Sequence, residues 1–150
     1  MRIMITGGGT GGHTSPAVAI LEELQKRDPR LMAQWVGRWG SIEERAAGRL
    51  DMPFRGVAVE GWPRRRTPRK AWAAAKLAYG IGRAALYLLR FRPQVVVGVG
   101  GFVSLPLCCA AQRMGVPTVL HEQNKRLGMA NAMLAARAIS GDAGRSTSAR

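Results

Sequence analysis

Arg2-Ile3-Met4-Ile5-Thr6-Gly7-Gly8-Gly9-Thr10-Gly11-Gly12-His13, followed at once by Thr14-Ser15-Pro16-Ala17, decides the fold. A short β-prone run enters a glycine turn, and a helix start follows. Ser15 offers an N-cap hydroxyl, and Pro16 brings a fixed φ to the first helical position. Gly7, Gly9 and Gly12 fit G-x-G-x-x-G in the context that gives the pattern meaning, between a strand and a helix. Residues without side chains let main-chain N–H groups approach a phosphate, and the helix dipole favours its charge. Without a ligand, five glycines within residues 7–12 would cost folding entropy for no packing return.

Outward from this loop, apolar β-rich runs alternate with helical patterns. Strands are predicted at Arg2–Thr6, Ala33–Gly37, Phe54–Val59, Gln94–Gly98 and Thr118–His121. Helices are predicted at Pro16–Lys26, Ile42–Leu50, Ala71–Leu89, Leu105–Met114 and Gly128–Ala138. This order defines an α/β class: a doubly wound, Rossmann-like parallel sheet with helices on both faces. Ser41 and Glu44 fit a capping box for the second helix. With 150 residues, 47% of them hydrophobic, the chain is long enough for one core and too short for two ordinary domains. The tail, residues 139–150, lacks periodicity and is expected to be disordered or an aberrant reading.

Two further loops carry polar or glycine clusters at predicted strand ends. Gly98-Val99-Gly100-Gly101-Phe102 closes the fourth strand, and His121-Glu122-Gln123-Asn124 closes the fifth. In a parallel sheet such loops share one edge, where ligands bind. His13, at a helix N-terminus, is expected to be a neutral imidazole and a candidate general base. The same residue could instead only cap or pack. Glu122 could position a hydroxyl or hold its loop together through an ion pair, the second being favoured. At the end of the second strand, Gly37-Arg38 stands where a dinucleotide fold places an acidic residue. Arg38 therefore keeps an NADP-dependent oxidoreductase open as an alternative.

The formal charge of +14 is unevenly spread: no Asp or Glu lies between Glu60 and Glu122, whereas Arg64, Arg65 and Arg66 begin a long basic stretch. An anionic partner follows. Within that stretch, Ala74, Ala78, Ile81, Ala85 and Leu88 form one apolar stripe at helical spacing. Trp72, Tyr79 and Leu86 form another, with Lys76, Arg83 and Arg90 about 40° around the helix. Aromatics fringed by cations suit an anionic lipid surface. No zinc, RRM-type or KH-type signature favours nucleic acid. Cys108 and Cys109 are adjacent within an apolar run and read as buried hydrophobes in a reducing compartment. No basic-then-apolar leader opens the chain and no apolar run approaches the ~20 residues of a membrane span, so a cytosolic, non-integral protein is expected.

Together these residues resemble the MurG family of bacterial transferases. The first glycine loop with Pro16-Ala17 carries the resemblance, as do Gly98-Val99-Gly100-Gly101-Phe102-Val103-Ser104-Leu105-Pro106 and His121-Glu122-Gln123-Asn124 continuing to Gly128 and Asn131. Phe102 stands where tyrosine is common, and Leu127 where the family has proline or a small residue. The resemblance implies the N-terminal, acceptor-side half of a GT-B fold over residues 1–138, with the donor-binding C-terminal domain absent and supplied in cis or in trans. It implies transfer of GlcNAc from UDP-GlcNAc to an undecaprenyl-diphosphate-linked MurNAc-pentapeptide, with inversion. No cofactor and no absolute metal requirement are implied. By position, Thr10, Gly11, Gly12 and Asn124 would touch UDP-GlcNAc. Gly8, Gly9, Gly100, Gly101, Phe102 and Glu122 would face the acceptor diphosphate, and His13 would be the base. Trp72, Lys76, Tyr79, Arg83 and Leu86 would meet the cytoplasmic face of the inner membrane. A membrane-docking module that binds a lipid diphosphate without catalysis is the alternative within this reading.

Overall fold

The computed structural model describes residues 1–9, 11–61, 69–123 and 128–138. Five parallel strands form one sheet: β1 (Arg2–Thr6), β2 (Met32–Gly37), β3 (Phe54–Gly56), β4 (Val95–Gly98) and β5 (Thr118–Leu120), in spatial order β3-β2-β1-β4-β5. Helices α1 (Gly11–Arg27), α2 (Ile42–Arg49), α3 (Arg69–Phe91), α4 (Leu105–Arg113) and α5 (Met129–Ala138) connect or follow them. The predicted order of elements is therefore the observed one, with β3 and β5 shorter than expected.

Alternation along the strands builds two cores. Ile3, Ile5 and Trp35 face α1 and α2, where they meet Ala17, Leu21, Ala46 and Ala47. Met4, Val36 and Val96 face the opposite side, with Leu88, Leu107 and Leu134. Cys108 and Cys109 lie buried in that second core, as expected of small hydrophobes. Burial pushes the Cys108 thiol up, so it stays protonated.

Three local details differ from the sequence reading. α1 begins at Gly11, so Pro16 lies inside it and leaves the Gly12 carbonyl without its ladder donor. Ser15 is no N-cap: its hydroxyl donates back to the Gly11 carbonyl at 3.0 Å. At α2, Ser41 does cap, accepting from the Glu44 N–H at 3.4 Å, but Glu44 reaches one residue further, to the Gly40 N–H at 2.6 Å.

The third difference is the rotation of α3. Ala73, Gly80, Ala84, Tyr87 and Leu88 are its buried residues, and Ala74 and Ala78 are exposed. The inward face is thus turned from the expected stripe. Gly80 explains the choice: a Cβ there would run into the Ala58 carbonyl oxygen, so only glycine lets the helix sit this close. The outer stripe is where it was expected, with Trp72, Tyr79 and Leu86 61%, 59% and 49% exposed. Among the described residues no helix is long and apolar enough to cross a membrane.

Candidate functional site

Strand order reverses between β1 and β4, since β2 and β3 extend to one side and β5 to the other. Ligands of open α/β sheets bind at such a reversal, beyond the carboxyl ends of the strands. Both glycine loops begin there. Gly7, Gly8 and Gly9 have φ of 133°, 150° and 87°, and Gly100 and Gly101 have 94° and 78°. All lie in backbone space that side chains disfavour.

The two loops lock together. The Gly8 N–H donates to the Gly100 carbonyl at 3.3 Å, and a Cβ on Gly101 would strike the Gly8 carbonyl oxygen. Beneath them the buried Thr6 hydroxyl donates to the Val103 carbonyl at 3.3 Å. A cleft of about 260 Å³ opens above, lined by Gly8, Gly9, Gly101, Phe102, Arg38 and Glu60 among others. Next to Gly9 is the start of α1, where Gly11 and Gly12 are exposed. Their N–H groups have no partner within the helix, the arrangement that binds anions.

Glu43 is the site residue that sequence reasoning missed. It is fully buried, and its carboxylate accepts from the Gly9 N–H at 3.3 Å and the Arg38 N–H at 3.4 Å. A Cβ on Gly8 would come within 2.7 Å of the same carboxylate. Glu43 therefore shapes the loop from below and takes the Gly9 donor, leaving any bound phosphate to the remaining amides. The position of Glu43 beside Glu44 in a capping sequence made it look like a helix-start residue.

Glu60, at the cleft rim, is tied to Lys76 at 2.9 Å. The hydrogen bond and charge of Lys76 hold its carboxyl below the ordinary range. The pair neutralises the acidic side chain nearest the cleft mouth.

The third loop joins the same edge through β5. The His121 N–H donates to the Gly98 carbonyl at 2.7 Å, and the Asn131 amide donates to the His121 carbonyl at 3.0 Å. Glu122 holds this loop, accepting the Gly128 N–H at 2.8 Å and the Asn131 Nδ2 at 3.0 Å. His13 falls in the first turn of α1, beside the loops. Thr10 and Asn124 lie outside the described residues, as do Arg64, Arg65 and Arg66 and the tail.

On α3, Lys76 sits over Trp72 at 5.5 Å while bound to Glu60. Arg83 donates to the Tyr87 hydroxyl at 2.8 Å and to the Tyr79 hydroxyl at 3.4 Å. The cations expected to fringe the outer stripe are therefore partly engaged within the protein.

A doubly wound parallel sheet with paired glycine loops at its topological reversal defines a Rossmann-like domain with a candidate phosphate-binding edge. Residues 3–140 match the glycosyltransferase family 28 N-terminal domain. The chain belongs to that family. It is 37% identical over 134 residues to the UDP-N-acetylglucosamine–N-acetylmuramyl-(pentapeptide) pyrophosphoryl-undecaprenol N-acetylglucosamine transferase of Bacillus subtilis. Identity to the enzyme of the same name from Moorella thermoacetica is 42% over 135 residues. The structure resembles Acinetobacter baumannii MurG with a TM-score of 0.78 at 30% identity, over 90% of this chain and 39% of that one. The match covers 89% of this chain and 37% of the B. subtilis protein, and 90% and 36% for M. thermoacetica. The chain thus corresponds to under two-fifths of each of these relatives. A Neisseria meningitidis UDP-GlcNAc 2-epimerase shares the fold alone, at TM-score 0.54 and 15% identity over 80% of this chain and 32% of that one. Family membership sets aside the NADP oxidoreductase alternative.

Proposed function

We infer that this domain is the acceptor-side half of an inverting transferase that moves GlcNAc from UDP-GlcNAc to lipid-linked MurNAc-pentapeptide. The observation that carries the reading is the meeting of two glycine loops and the α1 N-terminus at the strand reversal. Main-chain amides there suit a diphosphate. His13, in the first turn of α1, takes the proton from the acceptor 4-hydroxyl as that oxygen attacks the anomeric carbon. The bond to UDP breaks, UDP leaves with its electron pair, and the configuration inverts. Thr10, Gly11, Gly12 and Asn124 contact the donor. Gly8, Gly100, Gly101 and Phe102 face the acceptor diphosphate, and Gly9 and Glu122 support the loops that do so. No metal takes an obligatory part.

The exposed Trp72, Tyr79 and Leu86 rest on an anionic membrane at its cytoplasmic face, with Lys76 and Arg83 beside them. The aromatics enter the headgroup region and the helix lies in the interface.

The test supplies a C-terminal donor domain from a relative, in cis or in trans, and follows UDP release with UDP-GlcNAc and a lipid-linked acceptor. Turnover that needs both parts, survives EDTA and falls at least 100-fold in His13→Ala supports the reading. Near-full activity of that variant removes His13 as the base. Vesicle binding without turnover in any combination leaves the non-catalytic docking module.

A further inference from the structure

A second hollow lies away from the glycine loops, where the edge of the sheet meets the C-terminal half of α3. It measures about 340 Å³ and is lined by Gln34, Trp39, Arg55, Arg83, Tyr87 and Arg90, with Phe91 at its end. Gln34 and Arg55 reach it from β2 and β3, and the others but Trp39 come from α3. Three guanidinium groups thus share one concave surface with no carboxylate in its lining. The ion pairs of the described residues are Met1–Asp28, Arg27–Glu23 and Lys76–Glu60, so none of the three arginines is neutralised by any of them.

Arg83 is held in place rather than compensated. Its two hydrogen bonds go to tyrosine hydroxyls, its guanidinium lies 5.6 Å from the Tyr87 ring centre, and the Tyr87 hydroxyl is itself fixed by donating to the Gly56 carbonyl at 2.9 Å. A guanidinium has five N–H donors, so three remain for a ligand. Gln34, a residue 7% exposed, adds a side-chain amide to the same lining. Neighbouring cations outside any ion pair repel one another until an anion enters, and arginine matches the oxygens of phosphate two at a time. Trp39, 60% exposed, offers an apolar surface for an organic group beside the phosphate.

We propose that Arg55, Arg83, Arg90 and Gln34 form a second site, for the phosphate group of a phosphoester, independent of the glycine-loop cleft. Two sources present that chemistry, a soluble phosphoester and a phospholipid headgroup, the latter because Tyr79 and Leu86 flank Arg83 and Arg90 on α3. The site does not rest on the transferase reading.

The test titrates the full chain with inorganic phosphate by calorimetry in a phosphate-free buffer, then with phosphatidylglycerol vesicles by co-sedimentation. Arg55→Gln/Arg90→Gln removes two exposed cations that hold no ion pair among the described residues. Arg30→Gln/Arg113→Gln removes the same charge elsewhere. The proposal expects saturable phosphate binding that weakens at least tenfold in the first double variant and less than twofold in the second. Vesicle binding that falls in parallel and is competed by phosphate identifies the headgroup as the source; vesicle binding unchanged by Arg55→Gln/Arg90→Gln identifies a soluble phosphoester. Absence of saturable phosphate binding, or equal loss in both double variants, overturns the site.

Discussion

The Glu43 carboxylate, fully buried at the start of α2, accepts the N–H of Gly9 in the first glycine loop, 34 residues away. An acidic side chain thus underlies the first glycine loop. It accepts the Arg38 N–H as well, so one side chain ties the loops after β1 and β2 together. Glu43→Ala leaves both amides without a partner and is expected to cost about 1–3 kcal/mol in urea denaturation. Glu43→Gln keeps one acceptor and is expected to lose less, with faster hydrogen exchange at Gly9. A variant as stable as wild type, with unchanged exchange, would show that the loop holds its shape unaided.

Gly101 and Gly11 make a contrasting pair. Gly101 has φ of 78° and its missing Cβ would meet the Gly8 carbonyl, whereas a Cβ at Gly11 meets nothing within 4 Å. Gly101→Ala is expected to destabilise the fold by about 1–3 kcal/mol. Gly11→Ala, at a helical position, is expected to be neutral or slightly stabilising, by under about 1 kcal/mol. Thermal melts of the two variants check this ordering.

Tyr87 connects α3 to β3. Its hydroxyl accepts from Arg83 and donates to the Gly56 carbonyl at 2.9 Å, while the ring lies in the core. Tyr87→Phe keeps the ring and leaves that carbonyl short of a donor. A loss of about 1–2 kcal/mol is expected from chemical denaturation.

Lys76 lowers the pKa of Glu60 through a hydrogen bond and its charge. A carboxyl whose folded pKa is depressed stabilises the fold above its unfolded pKa. That contribution is lost as pH falls through the folded value. Wild type is therefore expected to melt above Glu60→Gln at pH 7. The gap should begin to close as pH drops toward the ordinary 4.5 and vanish once the folded Glu60 is protonated. Melting temperatures from about pH 7 down to about pH 2, a span that brackets ordinary carboxyl titration, test it, and a gap independent of pH would contradict the assignment.

Cys108 has no exposed surface, and burial raises its thiol pKa. Iodoacetamide is expected to leave it unmodified in the native protein and to label it after unfolding in guanidinium, as read by peptide mass spectrometry.

The elements and the glycine loops were legible because their signals are local. A β-prone run before glycines, a serine three residues before a glutamate, and an Arg-Pro or Gly-Val-Pro stop each act within one turn of chain. The candidate site was legible to the extent that strand-end loops of a parallel sheet must share an edge. Glu43 was not, because its partners are chosen by how α2 packs and not by its neighbours in sequence. The inward face of α3 was not either: alanines at 73, 74, 75, 78, 84 and 85 surround the helix, so periodicity does not pick a side. Gly80 against the Ala58 carbonyl makes the choice.

Sequence alone determined an α/β domain with glycine-rich loops after its first and fourth strands, an exposed aromatic stripe on the third helix, and buried cysteines. Tertiary structure decided the order β3-β2-β1-β4-β5, the lock between Gly8 and Gly100, the carboxylate beneath Gly9, and the gathering of Arg55 with Arg83 and Arg90. The division has a physical basis. Backbone preference and hydrophobic period are set by a few adjacent residues. Contacts between elements are set by packing and by hydrogen bonds whose two partners lie tens of residues apart.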